Sequence, residues 1–357
     1  MRQLIIYFTI SILLAFNTVS FTGDGSVQPS IPQLQVFVEP GAGYHPVLDA
    51  LNASQKSVLM EMYLLLDKDV IDALIRAKSR GVDVRVILEK FAYRNPADLK
   101  AIVDNLNSHG VSTKVSSPAF RLTHEKSIVI DHRVAFIMTL NQDHTAYTKN
   151  REFGVIDRSP VDVAEIAKVF EGDWNRTSVI LSDQNLVWSP INSRYRIIKL
   201  IDSAKRTLDI ENEEMQDKVV EDHLISAAQK GVNVRVVMSS SNSANDANAP
   251  GRDRIKKGGV NVRLLNKPYI HAKLMIADRS RAFVGSENFS PTSMDRNREL
   301  GILVNDPKIL QTLSTTFDKD WIAGKIALTS PGTTPLSKPR HIVSKSPKYL
   351  YCWIGAS

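Results

Sequence analysis

Four side chains in this chain have types and spacing suited to chemistry on an anion. In "IHAKLMIADRSRAFVGSENFS", Ile270–Ser290, a histidine and a lysine stand two apart in an otherwise apolar run, His271 and Lys273. The run "THEKSIVIDHRVAFIMTLNQD", Thr123–Asp143, has the same skeleton, with His124 and Lys126. Residues i and i+2 of a strand project from the same face, so each His–Lys pair points one way. An unpaired lysine in an apolar strand is costly to bury, so each pair calls for something anionic. A single histidine on an apolar strand is ordinarily a satisfied core imidazole. That reading must here explain the same placement twice, whereas His45, His109, His132, His144, His223 and His341 have no counterpart at the same offset.

Other polar residues recur around these pairs. Asn141 and Asn288 each follow their histidine by 17 positions, where a carboxamide N–H is within reach of a phosphoryl oxygen. Ser286 accompanies Asn288, and Thr139 holds its place in the first run. Glu152 and Glu299, in "NREFG" and "NRELG", each follow by 28 positions. A carboxylate on one imidazole nitrogen fixes the tautomer and frees the other nitrogen to attack or to carry a proton. Asp131 and Asp278 are at odd spacing from their histidines, so a turn or ion-pair role is the leading reading for them, ahead of a catalytic one.

These residues are positioned by a duplicated unit. With His124–Trp174 set on His271–Trp321 without gaps, fifteen of 51 positions are identical, including Asn-Arg-Glu and Asp-Trp. Upstream, "SRGVDVRVIL" echoes "QKGVNVRVVM". Two copies of a unit of about 150 residues are fused. In the first copy, strands are expected over 33–40, 56–65, 82–89, 125–131, 133–141 and 151–157. Helices are expected over 45–54, 69–81 and 95–110, the latter two closed by Gly81 and Gly110. Ser159-Pro160 and Asp306-Pro307 read as helix starts, a capping residue followed by proline at the first helical position. Alternating strands and helices imply an α/β fold with a β-sheet core covered by helices on both faces. The expected organisation is residues 33–180 for the first repeat, 181–328 for the second, and a basic, poorly ordered tail over 329–357.

Composition sets the outer limits. The chain has 357 residues, 43% hydrophobic and 23% charged, with a formal charge of +7. This suits an anionic partner, either a phosphodiester or an acidic membrane surface. Cys352 is the only cysteine, which excludes internal disulfides and cysteine-based metal centres. The sequence carries no recognisable metal-ligand cluster, P-loop or Gly-x-Ser-x-Gly elbow, and no metal or cofactor is expected. Residues 1–20 read as a cleaved signal peptide: Arg2, an apolar core Leu4–Phe16, then small residues at Thr18 and Ser20. A retained signal anchor is the alternative. The expectation is an exported protein, secreted or periplasmic.

The motif His-x-Lys-x4-Asp followed by Gly-Ser-x-Asn resembles the phospholipase D superfamily, and it is present twice: His124, Lys126 and Asp131, then His271, Lys273 and Asp278. The first copy departs from the pattern, with "MTLN" where the second has "GSEN". The resemblance implies two α/β/α sandwich repeats packed about a pseudo-twofold axis, with one active site at the seam. It also implies a metal-independent reaction. One neutral histidine attacks phosphorus to give a covalent phosphohistidine, and the other donates a proton to the leaving alcohol and then activates water. Lys126, Lys273, Asn141 and Asn288, with Thr139 and Ser286, would hold the phosphoryl oxygens. The family habit favours His124 as nucleophile; spacing alone does not choose. The implied activity is a phospholipase D-type phosphoric diester hydrolase that turns phospholipid into phosphatidic acid and alcohol. A nuclease using the same two histidines is the alternative, and a phosphate- or lipid-binding module without turnover is a weaker third. Since both half-sites lie in one chain, a monomer is expected.

Overall fold

The computed structural model describes residues 33–327 apart from Arg94, Asn242 and Ala244. The expected signal segment over 1–20 and every residue beyond 327, the basic tail among them, lie outside the described residues. Within 33–327 the duplication is visible as two sheets of the same topology. The first sheet runs, in spatial order, Leu34–Glu39, Asn150–Asp157, Val134–Met138, Lys126–Ile130, Ser57–Met62, Asp83–Leu88 and Ser112–Val115. The second runs Leu186–Ser189, Glu299–Val304, Arg281–Gly285, Lys273–Ala277, Thr207–Asn212, Asn233–Ser239, Asn261–Leu265 and Lys325–Ile326. In each sheet the strand after the His–Lys motif pairs antiparallel with both neighbours, while the next two strands outward are parallel.

The strands sort their side chains by parity, as period-2 alternation requires. Val58, Met60 and Met62 enter an outer core with the helices His45–Ala53, Lys68–Ser79 and Pro96–Ser108. Leu59, Val129, Ile137 and Phe153 face inward instead. There they meet Leu274, Val284, Leu300 and Ile302 of the second sheet, with the helices Pro160–Asn175 and Pro307–Ala323. The second copy has its own outer core, built from Ile210, Val236 and Met275 with the helices Ser193–Ser203 and Lys218–Gln229. One apolar core therefore belongs to both copies and fixes their relation.

The capping residues act as the sequence implied. Ser159 Oγ accepts the N–H of Asp162, and Asp306 accepts those of Lys308 and Ile309, each with proline opening the helix. Gly81 and Gly110 lie just past helix ends at φ of +91° and +80°, the left-handed region where glycine has no Cβ penalty.

Candidate active site

Each His–Lys pair sits at the inner end of a strand. The strands begin at Lys126 and Lys273, so His124 and His271 stand in extended lead-in segments two residues earlier. The lead-in of each copy pairs with the Asn-Arg-Glu segment of the other. Thr123 bridges Arg298 in parallel, and Tyr269 and Ile270 pair with Asn150 and Arg151. The His124 N–H donates to the Arg298 carbonyl at 2.9 Å, and the His271 N–H to that of Arg151 at 3.3 Å.

That exchange decides the carboxylate partners. His124 Nδ1 is 2.8 Å from Glu299 Oε2, and His271 Nδ1 is 2.8 Å from Glu152 Oε1. Each imidazole is thus held by the glutamate of the other copy, not by the one 28 positions downstream of it. The other two residues of each Asn-Arg-Glu segment have matching tasks. Asn297 and Asn150 donate to their own Glu299 and Glu152 at 3.0 and 3.2 Å. Arg298 pairs with Asp173 of the first copy at 2.7 Å, and Arg151 with Asp320 of the second at 2.5 Å. The repeated Asp-Trp thus supplies a cross-copy clamp.

The two glutamates remain ionised. Burial alone would raise Glu299, but its electrostatic interaction and hydrogen bond with the His124 ring, together with Lys126, hold it below the ordinary carboxylate value. Glu152 is held down in the same way by His271 and Lys273. Burial pushes His124 down to about 4, with the Lys126 and Lys273 charges adding to it against the pull of Glu299, so its imidazole is neutral at pH 7. Lys126 is also buried, and desolvation together with the Lys273 charge lowers it to about 7.

The lysines differ in their neighbours. Lys126 Nζ donates to the His124 carbonyl at 2.5 Å and lies 5.0 Å from the centre of the Tyr63 ring, which also meets His124 edge-on at 4.7 Å. Lys273 Nζ donates to the His271 carbonyl at 2.6 Å and to Glu213 Oε2 at 2.9 Å. Glu213 stands where the duplication places Tyr63, each six residues after the start of its strand, Thr207 or Ser57. Its Oε2 is also 3.4 Å from His271 Nε2 and 3.5 Å from Asn288 Nδ2. Burial would raise Glu213, but His271 and Lys273 hold it well below the usual range, and His124 contributes as well. The crossed contacts of His124 with Glu299 and of His271 with Glu152 bring both copies' motifs to one site.

Sequence reasoning misses Tyr63 and Glu213 because they differ between the copies, and a repeat is recognised by its identities. The signal available was the mismatch itself: "NEEMQD" sets acids where the first copy has "MYLLLD".

Two expectations require correction. Asp131 and Asp278 are not at the site. They occupy hairpin turns at the far end of the motif strand, with left-handed φ of 56° and 51°. Five strand steps separate each from its lysine, about 17 Å. Asp131 accepts the N–H groups of Gln55, Lys56 and Ser57, and Asp278 those of Lys205, Arg206 and Thr207, each tying the turn to the start of the neighbouring strand. The turn role stands and the catalytic assignment falls. Thr139 and Ser286 are fully buried and already engaged. Thr139 Oγ1 donates to Glu152 at 2.6 Å and accepts the Phe153 N–H, so it orients the carboxylate and not a phosphoryl oxygen. Ser286 Oγ accepts the Leu300 N–H at 3.2 Å, and Ser293 does for Glu299, at 2.6 Å, what Thr139 does for Glu152.

The fold also assembles carboxylates that are scattered in sequence. Glu61, Glu125 and Asp173 are buried, with one ligand oxygen of each within 4.8 Å of the others, a grouping the expectation of no metal-ligand cluster did not include. The Arg298 guanidinium at Asp173 already supplies positive charge there. Burial raises all three acids, Glu125 to about 7, which favours shared protons over a full anionic cage.

Two duplicated α/β sandwiches sharing two imidazoles, two crossed glutamates and two buried lysines define a two-histidine phosphoryl-transfer protein. The sequence profile described as "Cardiolipin synthase, PLD-like domain" matches residues 47–174 and 197–321. The chain belongs to the phospholipase D superfamily. Cardiolipin synthase B of Salmonella typhimurium is 26% identical over 329 residues, covering 79% of this chain and 78% of its own. Cardiolipin synthase of Clostridium perfringens (strain 13) is 22% identical, covering 87% and 75%. Among solved structures, phosphatidylserine synthase of Haemophilus influenzae Rd KW20 superposes with a TM-score of 0.62 at 12% identity, over 83% of this chain and 87% of that one. Polyphosphate kinase of Porphyromonas gingivalis gives 0.65 at 16% identity, over 80% of this chain and half of that one. These two likenesses concern the fold.

Proposed function

We propose that this protein cleaves phospholipid phosphodiesters and hands the phosphatidyl group to water or to an acceptor alcohol. The observation that carries the reading is the pair of imidazoles, each on a buried glutamate of the other copy, beside two buried lysines. His124 is the nucleophile: its neutral imidazole attacks phosphorus, and Glu299 steadies the positive charge that develops. His271, between Glu152 and Glu213, gives a proton to the departing alcohol and then takes one from the incoming water or alcohol. Lys126, with Asn141 and Asn288 at the two loop positions, offsets charge on the non-bridging oxygens. The similarity to cardiolipin synthases supports a phospholipid substrate and makes an alcohol acceptor as fitting as water. Export through residues 1–20 and action as a monomer belong to the same proposal.

The test offers the purified protein phosphatidylglycerol or phosphatidylcholine vesicles, with and without added glycerol, and a supercoiled plasmid in parallel. Phosphatidic acid marks hydrolysis and a new phosphatidyl ester marks transfer. Plasmid nicking with intact lipid would replace this reading with the nuclease.

A further inference from the structure

Glu213 has no role in the motif shared by the two copies, yet its carboxylate lies in the site. Its Oε2 is met by Lys273 Nζ at 2.9 Å, His271 Nε2 at 3.4 Å and Asn288 Nδ2 at 3.5 Å. Those are the second copy's donors for a phosphoryl oxygen, so this half of the cradle already carries a resident anion. The first copy has Tyr63 at the matching place, and Lys126 has no ion-pair partner among the described residues. The cradle is therefore unequal, with a cation available at Lys126 and one already compensated at Lys273. Glu213 keeps 23% of its side chain exposed while Lys273 is fully buried, so it is the group on the solvent side.

A phosphodiester carries one negative charge and can place it toward Lys126. A phosphomonoester carries two near neutral pH, and the second would face the Glu213 carboxylate with Lys273 already neutralised. Like charges at contact distance in a partly buried site interact strongly. We infer that Glu213 is a specificity-determining residue that admits monoanionic phosphodiesters and rejects dianionic phosphomonoesters, the hydrolytic product included. This rests on the phosphodiester reading above and adds a repulsive element to it.

The test compares the wild type with Glu213→Gln and Glu213→Tyr, the second restoring the residue type of the first copy and serving if the first does not fold. Relative kcat/KM is measured for bis(p-nitrophenyl) phosphate and p-nitrophenyl phosphate, and orthophosphate binding is measured by calorimetry, both at pH 7. In both variants the preference for the diester should fall about tenfold or more, and orthophosphate should bind more tightly by a similar factor. A diester-to-monoester ratio within twofold of wild type, with unchanged orthophosphate binding, overturns the inference. So does an equal gain for both esters, which would mean that substrate simply displaces the carboxylate. Failure of the wild type to cleave any diester would overturn the functional reading instead, while orthophosphate binding would still report on Glu213.

Discussion

Exchanging Glu299 for glutamine keeps shape and hydrogen-bonding capacity but removes the charge 2.8 Å from His124 Nδ1. If His124 attacks phosphorus, its ring becomes cationic in the transition state, and Glu299 is the carboxylate in contact with it. Two unit charges about 4 Å apart in a partly shielded protein site interact by about 4 kcal/mol. Losing most of that from the transition state slows the reaction by about a thousandfold. Since attack is the step impaired, the loss should be the same for a natural phospholipid and for a p-nitrophenyl phosphodiester, whose leaving group needs no proton. Glu152→Gln acts on His271 and should behave differently. It should slow the natural substrate by a comparable factor but spare the first turnover of the p-nitrophenyl ester, giving a burst and a trapped phosphoenzyme. Stopped-flow release of p-nitrophenol, with peptide mapping of acid-labile phosphate to the "THEK" peptide, reads both arms. The reasoning is refuted if Glu299→Gln gives the burst and Glu152→Gln gives none. That result would tie each glutamate functionally to the histidine of its own copy, or reverse the histidines' roles with phosphate on the "IHAK" peptide.

Other outcomes follow from the same geometry. With a p-nitrophenyl phosphodiester, whose leaving group needs no proton from His271, kcat/KM should rise with pH through about 4, as His124 loses its proton, and fall above about 7, as Lys126 loses its charge; Lys126→Arg should carry the alkaline limb beyond pH 10, and a limb left at 7 would show another group responsible. Turnover should survive excess EDTA, because the lysines supply the cationic charge; loss on chelation and recovery with a divalent ion would direct attention to Glu61, Glu125 and Asp173. Asp131→Ala should cost about 1 kcal/mol of stability by removing the acceptor of the Gln55, Lys56 and Ser57 N–H groups, with kcat/KM unchanged; a kinetic loss without a stability loss would return Asp131 to the site. Arg298→Met breaks the clamp to Asp173 and should lower stability by about 3 kcal/mol or more in denaturant melts, whereas an unaltered melt would show the clamp to be energetically idle.

Much of the architecture was written in local pattern. Strand alternation, capping residues before proline and glycines past helix ends depend on neighbours a few positions away, and they held in the fold. The duplication needed only comparison of the chain with itself, and it singled out His124, Lys126, His271 and Lys273 because identical chemistry at one offset is improbable by chance. The same comparison carried Asp131 and Asp278 along, since identity marks any repeated demand on the backbone and a hairpin turn is one. Pairing between the copies is a different matter. Which glutamate serves which histidine is set by the lead-in segment of one copy bridging the Asn-Arg-Glu of the other, and linear spacing, equal at 28 in both copies, points to the wrong partner. Tyr63 and Glu213 were hidden for the opposite reason, being unlike residues at like positions. Sequence by itself determined which side chains are repeated and what each can do. Only the packing of two sheets on a common core decided which carboxylate meets which imidazole, because that contact joins residues 175 positions apart that no local rule connects.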